Sequence, residues 1–222
     1  MDSTRQTHAP DAPDRWRGTV IIEGSAANPE SLSDDRALVQ AILGGDSDAF
    51  RVLVERESAA VVRVCHRVLG DLGEAEDVAQ EAFVIAYRSL ATWRAEGPFG
   101  AWISRIAVRL AIRRASRSRM INWAHPGPAD EKGLISDPMA NIAAGASSDP
   151  ESTTLRGERQ RAVRMAVAAL AEPYREVVAL RFFAERSLDE IAALTGRPLG
   201  TVKTHLHRGL IRLQGSLAEV AK

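Results

Sequence analysis

Three groups of residues in this 222-residue chain combine side-chain type and spacing in ways that could do recognition chemistry. Near the C-terminus, Thr201, Lys203, Thr204, His207 and Arg208 are left outside by a helical repeat that turns Val202, Leu206, Leu210 and Leu213 inward. Lys and Arg donate to guanine edges or phosphates, Thr serves either, and backbone N–H groups at a helix start can hold a phosphate. Arg197 and Arg212, on either side of this set, suit phosphate or solvent better than bases. In mid-chain, Arg105, Arg109, Arg113 and Arg117 recur every four residues, a basic ridge along one helix face. The segment before it has the opposite character. Glu76, Asp77, Gln80 and Glu81 form a face of acids and an amide, which suits a basic protein surface and would repel DNA.

No catalytic set accompanies these groups. The chain has no GK[ST] loop, no HExxH, no GxSxG and no Gly-rich strand-to-helix loop for a nucleotide. Its one cysteine, Cys65, excludes an internal disulfide framework, and with His66 alone beside it supplies too few ligands for zinc. His205 and His207, two residues apart, point to different helix faces. The expectation is a binding protein without metal or cofactor, not an enzyme.

The elements that must position these groups read as helices. Ser187 followed by Glu190 has the capping-box pattern and opens the short helix DEIAALTG, which Gly196 closes. The turn RPLG feeds TVKTHLHRGLIRLQ, so a helix, a tight turn and a second helix predict a helix-turn-helix. Upstream, Glu172-Pro173 separates a helix through Val163, Ala166, Val167 and Leu170 from YREVVALRFFAE. Between residues 33 and 118 the apolar period is again helical. Breaks fall at Gly44-Gly45, at Gly70 and in the turn RAEGPFG, and Val78, Ala82, Phe83, Ile85, Ala86 and Leu90 form one stripe while Trp102, Ile106, Leu110 and Ile112 lie on one side of the next helix. The only strand-like run, Thr19 to Ile22, lies near the N-terminus.

Proline clusters mark the joints, predicting a disordered tail over 1–32 and an acidic flexible linker over 119–155 around two small all-α domains, 33–118 and 156–222. Hydrophobic residues make up 45% and charged residues 26%, with no run apolar enough to cross a membrane and no signal-peptide pattern, so a cytoplasmic location is expected. The net charge of zero conceals alternation: residues 96–119 carry six arginines against Glu96, and residues 156–222 carry 12 basic against 7 acidic side chains, with acidic segments between and before them. Such a chain can offer basic faces to a polyanion and acidic faces to a basic partner.

The stretch AEPYREVVALRFFAERSLDEIAALTGRPLGTVKTHLHRGLIRL resembles region four of bacterial sigma factors, and EAEDVAQEAFVIAYRSLATWRAEGPFGAWISRIAVRLAIRR resembles region two of the extracytoplasmic function (ECF) group. The resemblance implies core RNA polymerase as partner, through the clamp helices of its largest subunit and its flap, and promoter DNA as the second. It places the clamp-binding motif on Glu76, Asp77, Gln80, Glu81 and Phe83. Minus-10 recognition and melting fall on Trp93, Arg94, Phe99, Arg105, Arg109 and Arg113, with a pocket for an unstacked base over Arg94 to Gly100, whereas Trp102 reads as a packing residue. Minus-35 recognition falls on Arg197, Thr201, Lys203, Thr204, His207 and Arg208. An anti-sigma factor covering the polymerase-binding surfaces is implied as well. The linker would thread the RNA-exit region, its acids standing for RNA phosphates, or would be a plain tether. The chain departs from the family at Arg109 and Arg113, where Asn and Asp are common, at His205 for Arg, and at Ala171 for Pro, so its base preference is its own. A LuxR-like regulator that does not replace the sigma subunit is the second reading, and a polymerase-binding adaptor whose C-terminal domain grips protein is the third.

Overall fold

A computed structural model describes residues 29–124 and 150–220, and every regular element in them is helical. Helix α1 (Pro29–Leu43) ends at the two glycines, of which Gly45 takes the left-handed conformation, φ 103°. Asp46 then caps α2 (Ser47–Leu69), its carboxylate accepting from the N–H groups of Asp48 and Ala49. Gly70 terminates α2 at φ 79°, donating to the His66 carbonyl. It also marks a close approach: the Arg164 guanidinium occupies the space a Cβ would need. Asp71 caps α3 (Leu72–Arg88), and a 3-10 turn over Leu90–Thr92 leads through the 93–98 loop into α4 (Phe99–Ala124).

The first bundle packs α1, α2, α3 and α4 around Leu53, Val61, Cys65, Val78, Phe99, Ile103 and Val108. Its α3 face is built mostly from Ala75, Ala79, Ala82 and Ala86, small side chains that let neighbouring helices approach closely. The buried face of α4 lies one step from the expected side: Ile103, Ala107, Val108, Ala111 and Ile112 are buried, while Trp102, Ile106 and Leu110 are only half-buried. Ala107 and Ala111 share that face with Ile103, Val108 and Ile112, and the bulky Trp102, Ile106 and Leu110 alongside weigh as heavily in a sequence.

In the second bundle, α5 (Pro150–Ala169) and α6 (Tyr174–Phe182) precede the helix-turn-helix of α7 (Leu188–Thr195) and α8 (Leu199–Val220). The capping box is present as expected: the Glu190 N–H donates to Ser187 Oγ at 3.1 Å, and the Ser187 N–H donates to Glu190 Oε2 at 2.7 Å. Gly196 closes α7 at φ 66°. Helices α6 and α8 cross at Gly209, where an added Cβ would stand 2.7 Å from Val178 Cγ2.

Three expected boundaries move. Pro29 and Pro150, taken with their neighbours as markers of tail and linker, are the first residues of α1 and α5. Proline fits there because its missing N–H has no intrahelical partner and its φ is already helical. Helix α4 likewise runs on to Ala124. The rest of the tail, with Thr19 to Ile22, and residues 125–149 of the linker lie outside the described residues. The two bundles touch: α4 packs on α5, α6 and α7, and one apolar cluster continues through both.

Burial pushes the Cys65 thiol from its ordinary 9.0 up to about 12. A raised thiol pKa contributes stability that is present below pH 9.0 and lost as pH climbs toward about 12, because only the unfolded thiol ionises in that window. At neutral pH a thiol reagent is therefore expected to label the chain at once in denaturant and only at the rate of unfolding without it; rapid native labelling, followed by absorbance or mass, would contradict this burial.

Candidate nucleic-acid interface

On α8, Lys203, Thr204, His207 and Arg208 are exposed and Thr201 is half-exposed, while Val202 and Leu213 are buried behind them. Leu206 and Leu210 are half-buried against the same core. The outward set is therefore one continuous face of cations and hydroxyls on the second helix of the helix-turn-helix. Arg212, expected at phosphate or solvent, is exposed and also lies over the Tyr174 ring, 4.2 Å from its centroid, a cation–π contact that joins α8 to α6. His205 meets the same ring edge-on at 5.7 Å, and burial, with Arg197 and Arg208 nearby, lowers its pKa and favours the neutral imidazole.

The 93–98 loop is shaped from below by α1. Asp35, 1% exposed, accepts from the Phe99 N–H at 2.7 Å with one oxygen and from Arg56 with the other. Arg36 donates to the carbonyl of Ala95, which sits at φ 55°. The loop opens on a cleft of about 570 Å³ walled by Trp93, Arg94, Gly97, Pro98, Trp102 and Arg105. Phe99 and Trp102 exchange their expected places. Phe99 is fully buried and is not part of the wall, whereas Trp102 is. Helix α4 begins at Phe99, so that ring enters the core and Trp102, three residues later, faces the cleft. The three rings adjoin in sequence, Trp93 meeting Phe99 edge-on at 6.3 Å and Phe99 meeting Trp102 at a tilt at 5.6 Å.

The arginine ridge divides. Arg113 and Arg117 are exposed and Arg109 largely so, but Arg105 is turned toward the second bundle. There, Glu176 of α6 is 4% exposed and takes Arg105 Nε at 3.0 Å, Arg197 at 3.0 Å and Arg109 Nε at 3.7 Å. Burial alone would raise the Glu176 pKa, but these guanidiniums hold it below the ordinary carboxylate value. Of the expected minus-10 and minus-35 residues, the fold thus brings Arg105, Arg109 and Arg197 together on one carboxylate and leaves the α8 set apart.

On α3, Glu76, Asp77, Gln80 and Glu81 are exposed together, and Phe83 is buried, supporting that face from inside. Helical spacing carries the face on to Val84 and Tyr87, both 49% exposed, beside Phe50 of α2 at 4.9 Å from the Tyr87 ring. Sequence reading missed this apolar end, and it missed Asp35 and Glu176. The last two carried a signal: each acid stands in the apolar register of its helix, Asp35 with Val39 and Ile42, Glu176 with Ala179 and Leu180. Among the described residues, no group of three or more His, Cys, Asp or Glu could hold a metal, and no helix is long and apolar enough to cross a membrane.

A helix-turn-helix with a basic outer face, carried behind a bundle with an exposed acidic face and an arginine ridge, defines a DNA-binding protein. Sigma-70 region 2 matches residues 53–120, and Sigma-70, region 4 matches residues 160–213. The chain is 32% identical to the ECF RNA polymerase sigma factor SigW of Bacillus subtilis over 82% of its own length and 96% of that protein. It is also 32% identical to the ECF RNA polymerase sigma-E factor of Escherichia coli K12, over 78% of this chain and 89% of that one. Among solved structures it is similar in fold to CnrH in complex with the cytosolic domain of CnrY, at TM-score 0.52 and 22% identity, covering 84% of this chain and 98% of that one. The chain belongs to the ECF sigma factors, non-enzymatic proteins that direct transcription initiation. Membership sets aside the LuxR-like reading.

Replacing Asp35 by Ala removes the acceptor for Arg56 and for the first amide of α4, and is expected to lower stability by about 2 kcal/mol, the range for hydrogen bonds to a charged group. Urea denaturation of the full chain measures this, with Asp35→Asn intermediate; an unchanged midpoint for Asp35→Ala would remove α1 from the support of the loop.

Proposed function

We propose that the chain docks on the clamp helices of core RNA polymerase through the exposed α3 face, Glu76, Asp77, Gln80 and Glu81, and that Val84 and Tyr87 extend this contact with an apolar end. The 93–98 loop, with Trp93, Arg94 and Trp102, takes a base pulled from the minus-10 stack, while Arg109 and Arg113 hold the adjoining phosphates. Helix α8 enters the minus-35 major groove, with Lys203, Thr204, His207 and Arg208 toward base edges and Thr201 at the groove wall. The observation that carries the reading is the separation of the faces. The acidic α3 surface and the basic α8 surface are both solvent-exposed and lie on different bundles, so one chain can hold polymerase and DNA together. An anti-sigma factor that covers the polymerase-binding surfaces completes the proposal, on the strength of the family. Its recovery with the chain under non-inducing conditions, and its loss on induction, is the expected pattern.

Run-off transcription with purified core polymerase on fragmented genomic DNA, sequencing RNA starts with and without the chain, tests the reading. New starts sharing paired upstream elements are expected, and an active core enzyme that gains none would overturn it. Gln80→Ala with Glu81→Ala is expected to abolish these starts while DNA binding persists. Lys203→Ala and Arg208→Ala are each expected to cost about 1–3 kcal/mol of promoter affinity. Promoter binding unmoved by the α8 changes would favour the adaptor reading.

A further inference from the structure

The 93–98 loop keeps a shape that its own backbone does not enforce. Ala95 stands at φ 55°, a left-handed conformation that a Cβ disfavours, while Gly97, which could take it freely, does not. Such a residue stays there only while its surroundings hold it. Backbone bonds secure the two ends of the loop: the Trp93 N–H donates to the Leu90 carbonyl at 3.0 Å, and the Ala101 N–H donates to the Pro98 carbonyl at 3.0 Å. Between them, among the described residues, the backbone of residues 94–97 takes part in one hydrogen bond, from Arg36 Nη2 to the Ala95 carbonyl at 3.2 Å. Arg36 follows Asp35 in α1, and the two divide the loop. Asp35 is buried and holds the Phe99 amide where α4 begins; Arg36 is exposed and holds the middle, at the residue whose backbone is strained. A hydrogen bond from an exposed side chain to a carbonyl adds little to the fold, because water replaces it when it is lost. Helix α1 also precedes both matched regions, which begin at residues 53 and 160, so the family match gives it no part in recognition.

We propose that Arg36 is a positioning residue for minus-10 melting: by holding the Ala95 carbonyl it keeps the loop in the shape that receives the unstacked base. This rests on the reading of the loop as the base pocket. Ala95 lies between the two stretches of the loop that wall the cleft, Trp93 with Arg94 before it and Gly97 with Pro98 after it, so its φ sets how those stretches face each other. Without the guanidinium the Ala95 backbone relaxes toward negative φ, and the pocket is assembled in a smaller fraction of molecules. Apparent affinity for the base falls with that fraction. A pocket already in shape binds without first being ordered, and that is what Arg36 supplies. The acidic face of α3 and the basic face of α8 belong to other elements, so polymerase docking and minus-35 binding do not depend on it.

The full chain is assembled with core polymerase on a promoter taken from the run-off starts, with 2-aminopurine in its minus-10 element. Fluorescence then reports melting, and a footprint reports occupancy. Arg36→Ala is expected to lower the melted fraction at equal occupancy at least about threefold, because base capture scales with the fraction of assembled pockets. Its urea midpoint and its affinity for core polymerase are expected to match those of the parent chain, and Arg36→Lys to keep most of the melting. Ala95→Gly added to Arg36→Ala is the decisive arm. Glycine takes the left-handed conformation without the Cβ penalty, so melting is expected to recover. A direct bond from Arg36 to a DNA phosphate would not be restored in this way, and its loss would instead weaken the salt dependence of promoter binding. No recovery therefore overturns the positioning role, as does a loss of melting that only follows a lower urea midpoint. Arg94→Glu, an exposed change in the cleft wall, separates this inference from the reading beneath it. Melting lowered by Arg94→Glu but not by Arg36→Ala overturns the positioning role and keeps the pocket; melting unmoved by both removes the pocket and the inference with it.

Discussion

The carboxylate of Glu176 is the constraint around which the two bundles are arranged. An ionised group 4% exposed in a helix otherwise buried through Val177, Val178, Ala179 and Leu180 is tolerable only if its lost hydration is replaced, and three guanidiniums from two bundles replace it. That requirement fixes more than one contact. It sets α6 against α4, draws the Arg197 turn onto the same point, and brings the end of α7 within reach of Arg105. Arginine suits the task because its planar fork meets two acceptors at once, here Glu176 and the Leu194 carbonyl, while remaining charged.

Asp35 does the same work one level down. Buried at 1%, it joins α1 to α2 through Arg56 and to the start of α4 through the Phe99 amide, and so decides where α4 begins. Once α4 begins at Phe99, the ring of Phe99 is committed to the core and Trp102 to the cleft. The side chains around the loop are thus consequences of a carboxylate in a different helix, 64 residues earlier in the chain.

Features whose causes are local were legible in the sequence. The Ser187–Glu190 capping box, the left-handed stops at Gly70 and Gly196, and the outward set on α8 each depend on residues within a turn or two, so spacing alone determines them. The two domains were legible for the same reason, as helical periods separated by breaks. The α4 register was not, because its core face mixes Ala107 and Ala111 with Ile103, Val108 and Ile112, while the bulky Trp102, Ile106 and Leu110 alongside weigh as heavily in an apolar count. The fate of Arg105 was hidden more deeply. A ridge of arginines four apart fixes which face they share but not what faces them, and the partner, Glu176, lies 71 residues on. Pro29 and Pro150 show a further ambiguity, since proline both interrupts a helix and opens one.

The arrangement also orders the surfaces by accessibility. With α4 packed on the second bundle, the α3 face of Glu76, Asp77, Gln80 and Glu81 stays exposed, as do Lys203, Thr204, His207 and Arg208 on α8, while the loop cleft is faced by α7. A molecule that contacts α3 or α8 can therefore reach its face without disturbing the Glu176 contacts, whereas anything entering the loop cleft meets Asp189 and Glu190 on its far wall. That wall follows from where one buried carboxylate sits, because Arg105 bridges Glu176 and the Leu194 carbonyl and so holds the end of α7 beside the loop.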